Sequence, residues 1–224
     1  QQMTTRANGI VLITGPTGSG KTSTLYATLK QLATPQVNLC TLEDPIEMIE
    51  PAFNQMQVQP GIDLTFASGV RALLRQDPDI IMLGEIRDLE TAEVAIQAAL
   101  TGHLVLSTLH TNDAPSAISR LLELGVAPYL IKATLLGVMA QRLVRTLRPD
   151  CKAAQPLSPD AWSGFAPGWA HAPPITVYRP VGCTQCRASG YRGRIGVCEI
   201  MVLSEQLKAL IGPQTDLSAI RQLA

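Results

Sequence analysis

The chain has 224 residues, of which 46% are hydrophobic, and this allows one large domain or one domain with a small appendage. Its 18 basic and 18 acidic side chains give a formal net charge of zero, whereas motors that act on nucleic acid usually carry a basic bias, so we expect no nucleic-acid partner. No apolar run approaches the ~18–20 residues of a membrane span, and no signal peptide is visible. The chain begins with Gln1 rather than Met, and we interpret it as a piece of a longer protein.

Strand-like and helix-like segments alternate along the first part of the chain. Short apolar runs predict buried strands, and apolar residues spaced three and four apart predict helix faces. In chain order these are a strand at 10–13, a helix face at Leu25, Leu29 and Leu32, a strand at 37–42, a helix face at Phe66, Val70, Leu73 and Leu74, a strand at 80–83, a helix face at Ala92, Ala95, Ile96, Ala99 and Leu100, a strand at 104–109, and a helix at 115–124. Asn112 or Asp113 is the candidate cap of the last helix and Gly125 its stop. This alternation predicts an α/β fold with a mainly parallel sheet covered on both faces.

A phosphate-binding loop is predicted between the first strand and the first helix. The stretch GPTGSGKT, at 15–22, matches the pattern G-x4-G-K-[ST] in the expected strand–loop–helix context. Backbone N–H groups and the helix N-terminus face the phosphates, Lys21 supplies a positive charge, and the Thr22 hydroxyl can ligate Mg²⁺. The predicted nucleotide contacts in this segment are Gly15, Pro16, Thr17, Gly18, Ser19, Gly20, Lys21, Thr22 and Ser23.

Polar residues follow the next three strands at the point where each strand ends. They are Glu43, Asp44 and Glu47 after the second strand, Glu85, Arg87 and Asp88 after the third, and His110, Asn112 and Asp113 after the fourth. Ligands of open α/β sheets bind beyond the carboxyl ends of the strands, so we expect these clusters to converge with the phosphate loop. His103 precedes its strand, which predicts a place at the opposite edge as a structural or interface histidine, with a direct nucleotide contact as the alternative.

Glu85 is the predicted catalytic acid. It follows four apolar residues, as the acid of a Walker B strand does, although Gly84 stands where an Asp is usual. With Mg²⁺ held by Thr22 and the phosphates, Glu85 is free to orient or deprotonate the attacking water.

Lys21 and Glu43 complete the predicted catalytic set. Glu43 is the best placed of the three acids after the second strand for a role near the metal, the alternative being a polar turn around Pro45. His110 is predicted to contact the nucleotide as a sensor of the γ-phosphate, and a capping role is its alternative.

Taken together, these motifs resemble the secretion ATPases of type II secretion and type IV pilus assembly, the general secretion pathway protein E family. The matching stretches are GPTGSGKT at 15–22, TLEDPIE at 41–47, LLRQDPDIIMLGEIRD at 73–88, TGHLVLSTLHTNDA at 101–114, AQRLVRTL at 140–147 and GYRGRIGVCE at 190–199. They cover nearly the whole chain.

The resemblance implies a RecA-like P-loop NTPase that uses ATP and Mg²⁺. It implies a homo-oligomeric, hexameric ring ATPase in the cytoplasm, peripheral at the inner membrane, which works with inner-membrane platform proteins. Such rings convert ATP hydrolysis into domain rotation that drives pilus or pseudopilus assembly, in the latter case for protein secretion across the outer membrane. Family members carry an N-terminal domain ahead of this core, and its arginines complete the ATP site.

The resemblance also implies a cysteine module. The chain has five cysteines, which in a reducing compartment favour metal binding over disulfides. The assembly branch of the family, unlike the retraction motors, carries two C-x2-C pairs about thirty residues apart. Here Cys151, Cys183 and Cys186 match three of these positions, but Arg148 occupies the first and cannot act as a thiolate. Zinc binding therefore stays open, with Cys198 or His171 as a candidate fourth ligand and apolar packing of the thiols as the alternative. Cys40 is expected in the core.

The predicted domains are a RecA-like ATPase core at 1–147, a cysteine module at 148–197, and the start of a C-terminal helical subdomain at 198–224. Seven of the sixteen prolines lie between Pro149 and Pro180, and this predicts a stretch that is neither helix nor ordinary strand. The short apolar faces near Leu207 and Ile220 predict helices at the end of the chain.

Three functions fit a phosphate-binding loop of this type. The leading one is the ring motor ATPase, and the second is a non-hydrolysing regulatory switch that uses the same fold. The third is a small-molecule kinase, which needs an acceptor pocket and an arginine-rich lid, and no such lid is visible near the loop.

Overall fold

The computed structural model describes residues 3–165, 174 and 176–224, which form two compact units. The first unit comprises Gln1–Arg142 together with Val197–Ala224, and the second comprises Leu143–Gly196. The sequence-based boundaries were 147/148 and 197/198. Residues 198–224, where the start of a helical subdomain is predicted, belong to the same compact unit as the large sheet.

A seven-stranded sheet forms the centre of the first unit. Its strands, with two that continue into the second unit, are β1 (Gly9–Thr14), β2 (Leu39–Glu43), β3 (Asn54–Gln57), β4 (Ile80–Leu83), β5 (Leu104–Leu109), β6 (Leu135–Leu147) and β9 (Tyr191–Val202). Their spatial order is β3-β2-β4-β5-β1-β6-β9, and β1 pairs in parallel with both β5 and β6. The predicted mainly parallel sheet is confirmed.

Helices cover both faces of this sheet. They are α1 (Lys21–Leu32), α2 (Phe66–Leu73), α3 (Leu89–Leu100), α4 (Ala114–Glu123), α5 (Pro128–Thr134), α7 (Glu205–Leu210) and α8 (Leu217–Leu223). Side-chain caps start several of them: Asp88 accepts a hydrogen bond from Thr91 N, and Asp113 accepts one from Ser116 N. Of the two candidate caps for α4, Asp113 is therefore the cap.

Alternate residues of the central strands pack into two separate cores. Val11 and Ile13 of β1 pack with Leu25 and Leu29 of α1, whereas Leu12 packs on the other face with residues of α2, α3 and α4. Every residue of β1 and β5 is buried, as expected for central strands of a parallel sheet that helices cover on both sides. Cys40 is buried in the second of these cores, as predicted.

The strand register places the expected clusters at one edge of the sheet. Thr14 at the end of β1 is opposite Leu109 of β5, and Leu83 at the end of β4 is opposite Ser107 of β5. The phosphate loop, Glu85 and His110 therefore all follow strand ends at the same edge. His103 lies at the opposite edge, where its Nδ1 is 2.8 Å from the carbonyl oxygen of Ala98, and this confirms its predicted position.

The second unit contains regular structure that the proline count did not predict. Strands β7 (Lys152–Pro156) and β8 (Thr176–Pro180) form an antiparallel pair, and helix α6 spans Pro159–Phe165. The prediction that this stretch is neither helix nor ordinary strand was wrong. Three of the described prolines are compatible with these elements, because Pro156 and Pro180 end their strands and Pro159 is the first helical residue.

Within the described part of the chain, no helix combines the length and the apolar character that a membrane crossing requires.

Candidate nucleotide-binding site

The loop between β1 and α1 has the backbone geometry of a phosphate cradle. Gly20 has a left-handed backbone, with φ of 84°, immediately before α1 begins at Lys21. Gly15 has φ of 145°, and a Cβ there would lie 2.3 Å from the carbonyl oxygen of Gln141. Larger residues cannot occupy these positions without displacing the loop. Thr22 and Ser23 lie in the first turn of α1, where the free N–H groups favour an anion.

Lys21 currently bonds to its own loop. Its Nζ donates to the carbonyl oxygens of Gly15, at 2.8 Å, and Pro16, at 3.2 Å. Burial lowers the pKa of Lys21, and the negative charge of Glu85 raises it. The negative charge of Glu85 therefore favours the protonated, cationic form of the loop lysine.

Gln141 of β6 clamps the far side of the loop. Its side chain is 5% exposed, its Nε2 donates to the carbonyl oxygen of Ser19 at 2.8 Å, and its Oε1 accepts from the Thr24 hydroxyl at 2.7 Å. One side chain thus fixes both the loop and the first turns of α1.

Thr14 connects the start of the loop to the turn after β5. Its Oγ1 accepts a hydrogen bond from Thr111 N at 2.8 Å and lies 3.0 Å from the carbonyl oxygen of Leu109. The turn that carries His110 is therefore held against the base of the phosphate loop.

Glu85 lies between two cationic or potentially cationic side chains. An Arg87 guanidinium nitrogen bonds to its Oε1, and the Nε2 of His110 is 3.5 Å from its Oε2. Arg87 also approaches Asp44, with 3.8 Å between Nη1 and Oδ2. The hydrogen bond from Arg87 lowers the pKa of Glu85, burial raises it, and the charges of Arg87 and His110 lower it further. The net lowering favours the ionised carboxylate.

Glu43 is a buried acid whose hydrogen-bond partners differ from those of Glu85. It is 3% exposed, and its carboxylate lies within hydrogen-bonding distance of the Tyr26 hydroxyl, at 2.7 Å, and accepts from the Thr41 hydroxyl, also at 2.7 Å. Burial raises the pKa of Tyr26, and the hydrogen bond and charge of Glu43 raise it further, so the phenol stays a donor. Of the acids at the end of β2, the exposed Asp44 rather than Glu43 lies near Arg87, which is the residue paired with Glu85.

The three cysteines of the second unit lie together. The Sγ atoms of Cys151, Cys183 and Cys186 are all within 4.8 Å of one another. Backbone N–H groups of Cys183 and Gly190 each donate to the Cys186 sulfur at 3.2 Å. Although burial opposes ionisation, these bonds lower the pKa of Cys186 to about 6. The cluster offers a metal ion three sulfur ligands, and the lowered pKa of Cys186 favours its thiolate form.

Arg148 does not replace the missing ligand. Its guanidinium bonds to Asp150, at 2.9 Å, and to the side-chain oxygen of Gln185. Of the two candidate fourth ligands, Cys198 belongs to the first unit, where its thiol is 3.9 Å from Gln141 Oε1, and His171 lies outside the described residues. The described residues therefore fit a zinc ion with three sulfur ligands, and the fourth ligand stays open.

The sequence analysis did not predict the role of Gln141, which stands inside a stretch that resembles the family, because its partners Ser19 and Thr24 are distant in sequence. It placed Arg87 in the polar cluster after the third strand but not in contact with Glu85, because that contact depends on side-chain rotamers. The available signal for Gln141 was an amide directly after the mainly apolar run at 135–140, since an amide that is buried there requires hydrogen-bond partners.

The parallel sheet, the glycine-rich loop before α1 and the acid and histidine at neighbouring strand ends define a P-loop nucleotide-binding protein with a RecA-like fold. The chain belongs to the type II/IV secretion system family: the family model described as "Type II/IV secretion system protein" matches residues 1–224. The resemblance inferred from the motifs is confirmed.

Individual relatives agree with this assignment. The chain is 60% identical over 224 residues to the type IV pilus assembly ATPase TfpB of Acinetobacter baylyi, covering 100% of this chain and 38% of the relative. It is 51% identical over 218 residues to the type II secretion system protein E of Aeromonas hydrophila, covering 97% of this chain and 43% of the relative. The chain thus spans well under half of the length of these curated relatives.

Solved structures also share the fold. The pilus retraction motor PilT with bound ADP matches with a TM-score of 0.70 and 29% identity, over 99% of this chain and 55% of that one. The VirB11 ATPase of Brucella suis, in complex with sulphate, matches with a TM-score of 0.52 and 25% identity over 60% of this chain and 44% of that one.

Proposed function

We propose that this chain is the ATP-hydrolysing core of a motor that powers the assembly of a pilus or pseudopilus. The observation that carries the proposal is the convergence of the phosphate loop, Glu85 and His110 at the carboxyl edge of one sheet. The names of the pilus assembly and type II secretion relatives support the same activity.

We infer a role for each group from its position. Loop N–H groups and the α1 N-terminus bind the phosphates, and Lys21 exchanges the carbonyl oxygens of Gly15 and Pro16 for phosphate oxygens. The hydroxyl of Thr22 would hold the Mg²⁺ that accompanies ATP and neutralises its charge. Glu85, held ionised, orients or deprotonates the water that attacks the terminal phosphate, and His110 reports on that phosphate.

A catalytic role for Glu43 stays a prediction. Both of its carboxylate oxygens lie within hydrogen-bonding distance of Tyr26, so a role at the metal requires the loss or rearrangement of these bonds.

Substitution of Glu85 tests the proposed chemistry. Glu85→Gln keeps the shape of the side chain but removes its basicity, and we expect ATP hydrolysis by the full-length gene product to fall by roughly 10²–10⁴-fold. Binding of a fluorescent ATP analogue is expected to remain, and Glu90→Gln, on the exposed start of α3, is the control. Unchanged hydrolysis in the Glu85→Gln variant contradicts the proposal and favours the non-hydrolysing switch. A requirement for an added acceptor before phosphate is released from ATP points instead to a kinase.

The proposed assembly is a hexameric ring at the cytoplasmic face of the inner membrane, docked on platform proteins of the secretion or pilus system. Light scattering of the full-length gene product with and without a nonhydrolysable ATP analogue tests the ring. A hexamer in either condition agrees with it, and a monomer in both contradicts it.

We also propose that the cysteine cluster binds zinc weakly, because Arg148 leaves it with three sulfur ligands. Elemental analysis after dialysis against a mild chelator is expected to show little zinc in the wild type and about one zinc per chain in Arg148→Cys, since the variant completes a four-thiolate site. Arg179→Cys, on the neighbouring strand β8, is the control for an added thiol. Equal zinc in all three proteins contradicts the proposal.

A further inference from the structure

Arg87 lies between two carboxylates at the carboxyl edge of the sheet, and the chemistry proposed above makes no use of it. One guanidinium nitrogen bonds to Glu85 Oε1, and the other is 3.8 Å from Asp44 Oδ2. Asp44 follows β2 on one side of β4, whereas His110 follows β5 on the other side. The arginine therefore draws one oxygen of Glu85 away from the strand that carries the phosphate loop.

The backbone around Glu85 is already fixed. Ile86 N donates to the carbonyl oxygen of Thr108 at 3.0 Å, and the Thr108 hydroxyl donates to the carbonyl oxygen of Gly84 at 2.7 Å. A little further on, Asp88 caps α3. Because the backbone is held on both sides of Glu85, only the side-chain rotamer of Glu85 is left to be fixed. Arg87 contacts this side chain directly.

We propose that Arg87 is a positioning residue for Glu85: it holds Oε1 toward Asp44 and so turns Oε2 toward His110 and the phosphate loop. The inference rests on the proposed function, because it assumes that Glu85 acts on water there. Oε2 lies near His110, which follows β5, and β5 stands between β4 and the strand that leads into the phosphate loop.

This ion pair differs from an ordinary surface pair. Arg87 is 58% exposed, but the side chain of Glu85 is only 17% exposed and is shared with His110, whereas in the pair of Arg71 and Glu90 both side chains are exposed, at 53% and 62%. Pairs of the second kind contribute little, because water screens them. Arg71 is therefore a matched control for Arg87, because it is also paired with a glutamate but in an exposed ion pair.

The charges around Glu85 give the inference a signature in pH. Arg87 on its own loop, His110 after β5 and Lys21 in the phosphate loop all favour the ionised carboxylate, and Asp44 and Asp88 in turn act on Arg87. The hydrogen bond from Arg87 is the largest of the influences that lower the pKa of Glu85, so removing it raises that pKa. A base is active above its pKa, and the acid limb of kcat/KM for ATP therefore moves to higher pH.

The test compares Arg87→Gln, Arg87→Lys and Arg71→Gln in the full-length gene product. For Arg87→Gln we expect kcat to fall by about 10²-fold, the cost of a misplaced reacting group, with KM little changed and the acid limb at higher pH. Arg87→Lys keeps the charge but not the planar fork that bridges two carboxylates, so the acid limb returns toward the wild type while kcat stays low. Arg71→Gln is expected to match the wild type.

Two results overturn the inference: wild-type kcat in Arg87→Gln, or full recovery of kcat in Arg87→Lys. Carbon-13 NMR titration of the Glu85 carboxyl in the nucleotide-free protein provides a reading that does not depend on turnover, with a higher pKa expected in Arg87→Gln. An unchanged pKa there contradicts the pairing itself. A wild type that binds ATP without hydrolysing it contradicts the proposed function instead, and the two failures are thus distinguishable.

Discussion

The side chain of Gln141 is predicted to hold the phosphate loop together, and Gln141→Leu tests this at nearly constant volume. The substitution removes the bond from Nε2 to the Ser19 carbonyl oxygen and the bond from the Thr24 hydroxyl to Oε1. The first of these bonds is buried, and an unsatisfied buried acceptor costs about 1–3 kcal/mol. The second is partly buried, and water replaces part of it, so its loss costs about 1 kcal/mol. The free energy of unfolding is therefore expected to fall by about 2–4 kcal/mol.

Urea denaturation measures this loss, and Thr24→Val is the matched variant because it removes the second bond alone. Thr24→Val is expected to cost about 1 kcal/mol, and the double variant less than the sum of the two, since both substitutions delete the same bond. Nucleotide affinity is expected to fall in Gln141→Leu as the loop loses its support. A free energy of unfolding within about 0.5 kcal/mol of the wild type, which is the range of ordinary surface substitutions, refutes the reasoning.

Two further substitutions test the packing beside the site. Tyr26→Phe deprives the buried Glu43 carboxylate of a donor, so the free energy of unfolding measured in urea should fall by about 1.5–3 kcal/mol, and an unaltered value would show that Tyr26 is dispensable there. Gly69→Ala in α2 places a Cβ 2.6 Å from a methyl carbon of the fully buried Leu42. Overpacking costs about 1–3 kcal/mol, whereas the higher helix propensity of Ala contributes about 1 kcal/mol, so calorimetry should show a lower Tm. A higher Tm would show that Leu42 moves aside at little cost.

The centre of the parallel sheet could be predicted from the sequence because β1, β2, β4 and β5 are short, mainly apolar runs that are buried along their whole length. The edge strand β3 is polar and partly exposed, and the sequence analysis assigned it no structure. That loop, acid and histidine lie at one edge follows from the pattern of apolar runs, whereas the order of the strands along that edge does not. In contrast, β6 carries apolar and charged residues without a regular period, and the sequence analysis assigned it no structure. Pairing with β1 is what makes it a strand. The structure of the proline-rich stretch was predicted wrongly because the prediction used the number of prolines and not their positions, several of which are at the ends of strands and helices.

The site was predictable only where a motif fixes the local backbone. The loop from Gly15 to Thr22 is of this kind, because glycine positions and the helix start follow from adjacent residues. The clamp from Gln141 to Ser19 joins residues separated by 122 positions, and no spacing rule reports such a contact. Glu43 illustrates the same limit: its place at a strand end was predictable, whereas the donors of Tyr26 and Thr41 that surround it were not.

The central claim is that Lys21, Thr22 and Glu85 surround a single magnesium-bound triphosphate. A crystal structure of the full-length gene product with Mg²⁺ and a nonhydrolysable ATP analogue measures this directly. We expect Lys21 on the terminal phosphates, the Thr22 hydroxyl on the metal, and the Glu85 carboxylate within hydrogen-bonding distance of a water beside the γ-phosphate. A nucleotide bound elsewhere, or a Glu85 carboxylate turned away from the γ-phosphate in every subunit, contradicts the account.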